Sequence, residues 1–324
     1  MTTNTLAFQA RSYAGEEDLA ALADIMNICD AHDQIEESGS IDELREEYAD
    51  PRFDASTHLL IWHAADGSAV GFSEYHIPRG TADELHDPGL FVYFKVVPAA
   101  RGQGLEAQML DQGKVRQRQA EREIGIPIRL EAVARDIETE RAAVIEQLGF
   151  TPGRYFLRMM RPINNGLPAA EFPAGFSLRA GELSDTEYTL LRNAIWVDHF
   201  GYEPWADAEV RHFRDLSDYD PNLDLVAYDP AGHPAGFCWG SIRPEENKRN
   251  QRADGWIGML GVRREYRGIG LGRALLREGM LRLHTTGADF ARLGVDGASP
   301  TGATKLYAAE GFETVYSRTL FARS

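Results

Sequence analysis

The sequence predicts an α/β (α+β) protein made of two tandem copies of one domain, each a mixed sheet flanked by helices. Three observations predict this fold. Short strands with alternating polarity are interleaved with longer helical patterns. Matching segments recur in the two halves, and each half has a glycine-rich turn directly before a helix. The length of 324 residues suits about two domains of ordinary size.

The composition excludes several classes of function. A net charge of −16 argues against a nucleic-acid partner or an anionic membrane surface. Cys29 and Cys238 are far apart in the sequence and lack metal-ligand spacing, so we expect neither a metal site nor a disulfide framework. No signal-like start and no apolar run near the roughly 20 residues of a membrane span are present. We therefore expect a cytoplasmic protein.

The repeat is visible in landmarks at nearly constant separation. The hairpin glycines Gly71 and Gly236 are 165 residues apart. The arginines that precede the glycine turns, Arg101 and Arg267, are 166 apart, and the last glycines, Gly149 and Gly311, are 162 apart. A period this long indicates a duplicated domain and not a solenoid, whose period lies below about 50 residues.

The boundary between the copies is predicted in RPINNGLPAAEFPAGF (161–176), which is rich in Pro, Gly and Asn and lacks usable periodicity. We predict an N-terminal domain over 1–162, a linker over 163–175 and a C-terminal domain over 176–324. The two domains are expected to pack on each other. The sequence does not indicate an oligomeric state.

Each copy reads as a strand, one or two helices, three strands, the glycine turn, a helix, a strand, a helix and a strand. The order begins with strand–turn–helix segments at 8–22 and 176–191. In the second copy, a helix continues through 276–287 and a strand follows at 290–297. A short helix over 303–312 ends at Gly311, and a closing strand is predicted over 314–321.

The turn REYRGIGLG (264–272) predicts close approach of a ligand to the backbone. Glycine costs a helix about 1 kcal/mol relative to alanine, so the run needs a compensating reason. First-turn amides are unpaired and favour anions such as phosphate. Arg273 after Gly272 excludes a P-loop, and the glycine spacing excludes a dinucleotide fingerprint. The alternative is a tight turn that lets strand and helix pack closely.

These residues carry a family resemblance. Arg267-x-x-Gly270-x-Gly272 resembles the acyl-CoA motif of the GNAT N-acetyltransferase superfamily, and Ala303-x-x-Leu-Tyr-x-x-x-Gly-Phe is similar to its C-terminal signature. The tandem arrangement most resembles the mycothiol synthases, which are two-domain members. The resemblance implies a mainly antiparallel GNAT sheet and acetyl transfer from acetyl-CoA to a small primary amine by direct attack, without a metal.

The resemblance also implies residues that bind the acetyl donor. Amides of the glycine turn would hold the pyrophosphate of acetyl-CoA, and the end of the preceding strand would pair with its pantetheine arm. Ser299 stands where many relatives carry Asn. The implied donor-binding residues are Leu260, Gly261, Val262, Arg267, Gly268, Ile269, Gly270, Leu271, Gly272, Arg273 and Ser299.

Tyr307 is the predicted general acid. A phenol with a pKa near 10 can supply a proton to a leaving thiolate whose thiol has a pKa near 8.5. The alternative is a core tyrosine on the apolar face of its helix.

Asp254 is the predicted base, acting through water on the amine. Period-two alternation places it on one face of a strand with Trp256 and Leu260. Glu245, Glu246 and His199 are rivals, and a solvated turn residue is the alternative for Asp254.

The segment WVDHFGYEPW (196–205) is predicted to shape the acceptor pocket, since GNAT proteins build the pocket after their first helix. Charge and aromatic contact could bind an amine there. The predicted acceptor-binding residues are Asp198, His199, Tyr202, Trp205 and Trp256. Trp256 stands where mycothiol synthases carry Glu. An aminosugar or amino-thiol acceptor competes with polyamines, aminoglycosides and amino-acid derivatives. A non-catalytic acyl-CoA-binding sensor or scaffold is the alternative function.

The first copy departs from the second at two positions. Glu106 stands where the second copy has Gly272, so a carboxylate would face the place of a pyrophosphate. Ile145 stands where the second copy has Tyr307 and cannot donate a proton. We therefore expect chemistry in the second copy only, with the first copy serving as a scaffold that covers part of the acceptor pocket.

Overall fold

The structure is a computed structural model that describes residues 8–36, 39–164 and 166–323. The chain forms two compact units. One comprises Met1–Arg154 with Arg318–Ser324, and the other comprises Tyr155–Ser317. The chain therefore crosses from one unit to the other twice, and the linker predicted at 163–175 falls within the second unit. Asn165 of that predicted linker lies outside the described residues.

Helices and strands follow the predicted order except for two additional short helices, Ala55–His58 in the first copy and Pro244–Arg249 in the second. Up to residue 150 the elements are β1 (Gln9–Ser12), α1 (Glu16–Asp33), α2 (Ile41–Tyr48), α3 (Ala55–His58), β2 (Leu59–His63), β3 (Ala69–His76), β4 (Gly89–Val96), α4 (Leu105–Ile124), β5 (Arg129–Arg135) and α5 (Thr139–Gln147). The remaining elements are β6 (Thr151–Pro162), β7 (Ser177–Ala180), α6 (Asp185–Trp196), α7 (Asp207–Asp215), β8 (Asp224–Tyr228), β9 (Pro234–Ile242), α8 (Pro244–Arg249), β10 (Asp254–Val262), α9 (Leu271–Thr285), β11 (Phe290–Asp296), α10 (Ala303–Ala309) and β12 (Glu313–Arg323).

Each unit has one mixed sheet, as predicted, and the predicted fold class is confirmed. In the first unit the strand order is β1-β2-β3-β4-β5-β12, with residues 318–323 of β12 on β5. In the second unit it is β6-β11-β10-β9-β8-β7, with residues 156–162 of β6 on β11. One neighbouring pair in each sheet is parallel, β4 with β5 and β10 with β11. The closing strand of each sheet thus comes from the other half of the sequence.

The second unit has a hydrophobic core on each face of its sheet. Leu275, Met280 and Leu283 of α9 pack on one face. Tyr188 of α6 and Phe213 of α7 pack on the other face. No helix among the described residues is both long and apolar enough to cross a membrane.

Strand β10 contains a β-bulge at Gly258. Ile257 pairs with Gly240 and Met259 pairs with Trp239, so Gly258 is the extra residue. The bulge resets the alternation of side chains. Met259 therefore packs against the α6 and α7 core, while Leu260 packs against the α9 core. The predicted common face for Asp254, Trp256 and Leu260 is wrong at Leu260, because strict alternation does not continue through a bulge.

Gly258 also lies against an aromatic ring. A Cβ at this position would lie 2.2 Å from Cζ3 of Trp239, which is well inside van der Waals contact. We expect Gly258→Ala to displace the Trp239 ring and to lower the free energy of unfolding by about 1–3 kcal/mol, the usual cost of overpacking. Urea-induced unfolding measures this loss.

Gly153→Ala in β6 is the matched control, because its Cβ would meet only Leu320 O, at an ordinary 3.5 Å. Equal stability of the two alanine variants would contradict the packing role given to Gly258.

Candidate active site of the second unit

The glycine turn needs glycine at two positions because of its backbone conformation. Gly268 and Gly270 have φ values of 81° and 92°, in the left-handed region that favours glycine. A Cβ at either position would meet nothing within 4 Å, so backbone conformation and not crowding requires these two glycines. Gly272 would meet only ordinary contacts, with Val262 and Leu306 at 3.6 and 4.0 Å. The space around the turn is therefore open.

The amides at the start of α9 are available to a ligand. Gly270 is the residue before the helix and provides no side-chain cap, and the first turn contains no acidic residue. The first amide with a helical partner is Ala274 N, which donates to Gly270 O at 3.1 Å. Within the described chain, the amides of residues 268–273 donate no hydrogen bond. Unpaired amides at a helix N-terminus favour an anion.

Arg267, at the start of this turn, bonds both the preceding strand and the segment after α6. Its Nε donates to Val262 O at the end of β10, at 3.1 Å. Its Nη1 donates to Asp198 Oδ2 at 2.7 Å, and Arg264 Nε donates to the same oxygen at 2.9 Å. The two guanidiniums hold the pKa of Asp198 well below its usual range. The carboxylate of Asp198 is therefore engaged by the turn, which favours a structural role over the predicted contact with an amine.

A gap opens between β10 and β11 next to the turn. The two strands pair in parallel from Asp254 with Phe290 to Ile257 with Leu293, and no parallel pair follows in the described part of the chain. The edge of Leu260, Gly261 and Val262 that faces β11 is thereby left without a ladder partner. A Cβ on Gly261 would lie 2.2 Å from Ile195 Cγ2, so this glycine also lets α6 pack on the strand.

Tyr307 lies in α10 with 7% of its surface exposed. Its ring meets that of Phe312 edge-on at 5.9 Å. Burial raises the pKa of the Tyr307 phenol above its ordinary value, so the proton stays on the oxygen at neutral pH. Within the described residues, its hydroxyl forms no hydrogen bond, which leaves the proton available.

Asp254 lies at the start of β10 and is 1% exposed. Arg292 Nε donates to Asp254 Oδ2 at 2.5 Å, and Arg252 Nε lies 3.1 Å from the same oxygen. Asn247 Nδ2 donates to Asp254 O at 2.8 Å, and Asp254 N donates to Asn247 Oδ1 at 3.1 Å. This closed network joins β10, β11 and the end of α8, and it favours a structural role for Asp254 over that of a base.

The rival carboxylate Glu246 is also engaged. Its Oε1 lies 3.2 Å from Arg252 Nη2, and its Oε2 lies 3.5 Å from Arg243 Nη1. Glu245 is exposed on α8.

His199 has a different environment. Its ring stacks on Trp196 at 4.9 Å between centroids and an interplanar angle of 14°. Burial lowers the pKa of His199, and the nearby guanidiniums of Arg192 and Arg267 lower it further. The imidazole is therefore neutral near pH 7 and able to accept a proton.

The rest of the 196–205 segment lies beside β6 and β11. Phe200 contacts Phe156, with ring centroids 6.3 Å apart, and Phe156 pairs with Asp296 at the end of β11. The segment therefore lies near the gap between β10 and β11. Tyr202 and Trp205 both face the guanidinium of Arg192, at 6.0 and 4.5 Å from their ring centroids.

Trp256 and Ser299 were also predicted to contact ligands. The Trp256 ring has the guanidiniums of Arg243 at 4.8 Å and Arg158 at 5.3 Å from its centroid. A positive charge already lies against this ring, which disfavours the predicted contact with an ammonium group. Ser299 Oγ lies 2.9 Å from Thr301 Oγ1 in the loop that leads to α10.

The first unit has the corresponding glycine turn, but there a side chain of the protein bonds the turn. Gly102 and Gly104 have φ values of 68° and 89°, and Arg101 Nε donates to Val96 O at 2.9 Å. Here Glu106, which is 7% exposed, turns back so that its Oε1 accepts from Gly102 N at 3.1 Å. An amide of the turn is thus bonded by a carboxylate of the same chain. Ile145 is fully buried at the position that matches Tyr307.

Sequence reasoning missed two residues beside the site. The bulge at Gly258 gives no sequence signal, because one extra residue in a strand leaves the composition unchanged. Trp239, which packs on Gly258, lies on the neighbouring strand, and its role follows from strand register. The described residues contain no group of three or more His, Cys, Asp or Glu arranged to hold a metal.

Known proteins resemble this chain in sequence. The model of the Acetyltransferase (GNAT) family matches residues 188–312, which include the glycine turn and Tyr307. A mycothiol acetyltransferase of Salinispora arenicola is 30% identical over 313 residues, with 95% of this chain and 94% of that protein covered. A mycothiol acetyltransferase of Salinispora tropica is 30% identical over 298 residues, covering 91% and 89%.

Solved structures resemble it in fold. A GCN5-related N-acetyltransferase from Sphaerobacter thermophilus has a TM-score of 0.72 at 25% identity, with 98% of this chain and 95% of that chain covered. A tandem GNAT protein from the clavulanic acid biosynthesis pathway has a TM-score of 0.66 at 19% identity and covers 98% of both chains. At 19% identity, the similarity to the tandem GNAT protein shows a shared tandem fold and nothing about activity.

Proposed function

Because this chain belongs to the GNAT acetyltransferase family, we propose that its second unit transfers an acetyl group from acetyl-CoA to a small primary amine by direct attack. Acetyl transfer by an acyltransferase enzyme is the activity of the family and of the relatives. Membership disfavours the non-catalytic sensor or scaffold. The observation that carries the proposal is that the amides of residues 268–273, beside the gap between β10 and β11, donate no hydrogen bond to any described residue.

The residues of the second unit fit acetyl-CoA. The open turn and the unbonded amides would hold the pyrophosphate, because the helix N-terminus and the absence of a side-chain cap favour an anion. The backbone edge of 260–262 would pair with the pantetheine arm. Acetyl-CoA supplies the thioester that the amine attacks.

Tyr307 would give the proton that the leaving sulfur needs. Its phenol makes no hydrogen bond within the described residues, so its proton can be donated without breaking another contact. Its ring is held by Phe312, which fixes the position of the hydroxyl.

We assign the base to His199 and not to Asp254. A base must accept a proton from the ammonium form of the amine, and the Asp254 carboxylate is already neutralised by two guanidiniums. His199 is neutral, half-buried and close to Arg267 at the glycine turn. These properties support proton acceptance near the place where a thioester would lie.

We propose an aminosugar or an amino-thiol as the acceptor, because relatives that span most of the chain are named for mycothiol. Arg192, Tyr202, Trp205 and Trp256 would contact the parts of the acceptor away from the amine, where guanidinium and aromatic groups suit hydroxyls and ring faces.

Tyr307→Phe tests the acid. We expect kcat to fall by about 100-fold, a typical loss on removing a general acid, with little change in acetyl-CoA affinity because the ring packing is kept. Steady-state release of free thiol over a panel of amines measures this, with Tyr155→Phe on the exposed part of β6 as the matched control. Wild-type turnover in Tyr307→Phe, on a substrate whose chemical step is slow, would remove Tyr307 from the mechanism.

The pH dependence of kcat tests the base. A base acts in its deprotonated form, and since the pKa of His199 is lowered, activity should persist below the ordinary histidine value of about 6.5 and fall at more acidic pH. We expect His199→Gln to lower kcat by at least 10-fold and to remove this acidic limb. Asp254→Asn should leave the limb in place and lower the free energy of unfolding. An acidic limb that moves in Asp254→Asn and stays in His199→Gln would reverse the assignment.

Gly272→Glu tests the anion site. Because Glu106 bonds the turn of the first unit, a glutamate at the matching position should compete with the pyrophosphate in the second. Calorimetric titration with acetyl-CoA is expected to show about one tight site per wild-type chain and none in the variant, with loss of activity. Gly272→Ala is the control for bulk. Two equivalent wild-type sites, or an active Gly272→Glu enzyme, would contradict this assignment.

A further inference from the structure

Arg141 of α5 reaches the backbones of two neighbouring strands in the first unit. Its Nε donates to Val133 O of β5 at 2.8 Å, and its Nη1 donates to Phe94 O of β4 at 2.7 Å. The guanidinium carbon also lies 3.9 Å from the centroid of the Phe94 ring. One side chain therefore joins the two strands of the parallel pair.

These bonds lie where the parallel ladder has ended. Strands β4 and β5 pair from Gly89 with Arg129 to Val92 with Ala132. Val133 follows directly, and its carbonyl and that of Phe94 both accept from the guanidinium, so both point into the space between the strands. Arg141 thus fills the gap that corresponds to the one between β10 and β11.

The second unit has no such side chain at the matching position. The separation of 162 residues that relates Gly149 to Gly311 also relates Arg141 to Ala303, the first residue of α10. A methyl group cannot reach across the gap. The two units therefore differ at the gap as they differ at the turn, where Glu106 matches Gly272.

We propose that the first unit carries a second site of the kind that binds acetyl-CoA, and that its own side chains occupy this site. Arg141 lies in the place of a pantetheine arm and Glu106 in the place of a pyrophosphate. This inference rests on the proposed donor site of the second unit. The chemistry matches at both positions: guanidinium N–H groups bond strand carbonyls as the amides of a pantetheine chain would, and a carboxylate bonds the turn amide as a phosphate oxygen would. The ligand class excluded by these side chains, and admitted without them, is an acyl-CoA.

Removing both side chains should open the site. We propose the variant Glu106→Gly, Arg141→Ala in a Gly272→Glu background, which silences the second unit. Calorimetric titration of the full chain with acetyl-CoA is expected to show no binding in Gly272→Glu and about one site per chain in the triple variant. Acetyl-CoA should also raise the melting temperature of the triple variant, because the freed carbonyls regain partners. The matched control carries Gly272→Glu and Glu106→Gly with Arg122→Ala, on the exposed end of α4, in place of Arg141→Ala. This control should not bind acetyl-CoA.

The reverse substitution keeps the inference testable if the triple variant does not fold. Ala303→Arg in the otherwise unchanged chain should close the second gap and weaken acetyl-CoA binding by at least 10-fold, while Ala303→Met adds length without donors and should weaken it less.

A folded triple variant without binding, or an Ala303→Arg chain with wild-type affinity, would overturn the inference. A wild-type chain that binds no acetyl-CoA would instead refute the proposed function itself, so the two failures are distinguishable.

Discussion

The geometry of the site depends on the arginine that begins each glycine turn. Arg267 bonds the last carbonyl of β10 and the carboxylate of Asp198 beyond α6, and Arg101 makes the same two contacts with Val96 and Asp33. A planar guanidinium presents its donors at fixed angles, so one side chain sets the relation between strand end, helix end and turn. The unbonded amides of the turn are held in place by this clamp, because glycine alone would leave them free to move.

The same backbone frame is used in two ways. In the second unit the turn amides and the strand edge at the gap have no partner among the residues that the structure describes, while in the first unit Glu106 and Arg141 supply the partners. Few side chains are needed to make this difference, since each bonds a backbone group that the shared fold has already exposed. A buried backbone group without a partner is costly, so a unit that lost its ligand would gain stability from any side chain able to replace it.

The sequence predicts the fold, the duplication and the turn because these depend on local periodicity and on glycine spacing. The glycines at 268 and 270 mark the turn in the sequence, and both have left-handed backbone in the structure. What the sequence could not predict depends on contacts between distant segments. Asp198 meets Arg267 across 69 residues, Arg292 meets Asp254 across 38, and a bulge at Gly258 turns Leu260 to the other face. Charge and polarity made Asp198 and Asp254 candidates, but only packing shows that arginines already hold them.

The exchange of closing strands has a consequence for the history of the gene. Residues 318–323 complete the sheet of the first unit on β5, and residues 156–162 complete the sheet of the second on β11. A cut in the predicted linker at 163–175 would therefore separate each half from a strand of its own sheet and leave a bare edge prone to aggregation. Once the duplicated copies had traded these strands, recombination within the linker would release two halves that each lack the strand that closes their sheet here. The two copies are then kept together by the fold, whatever chemistry either one carries.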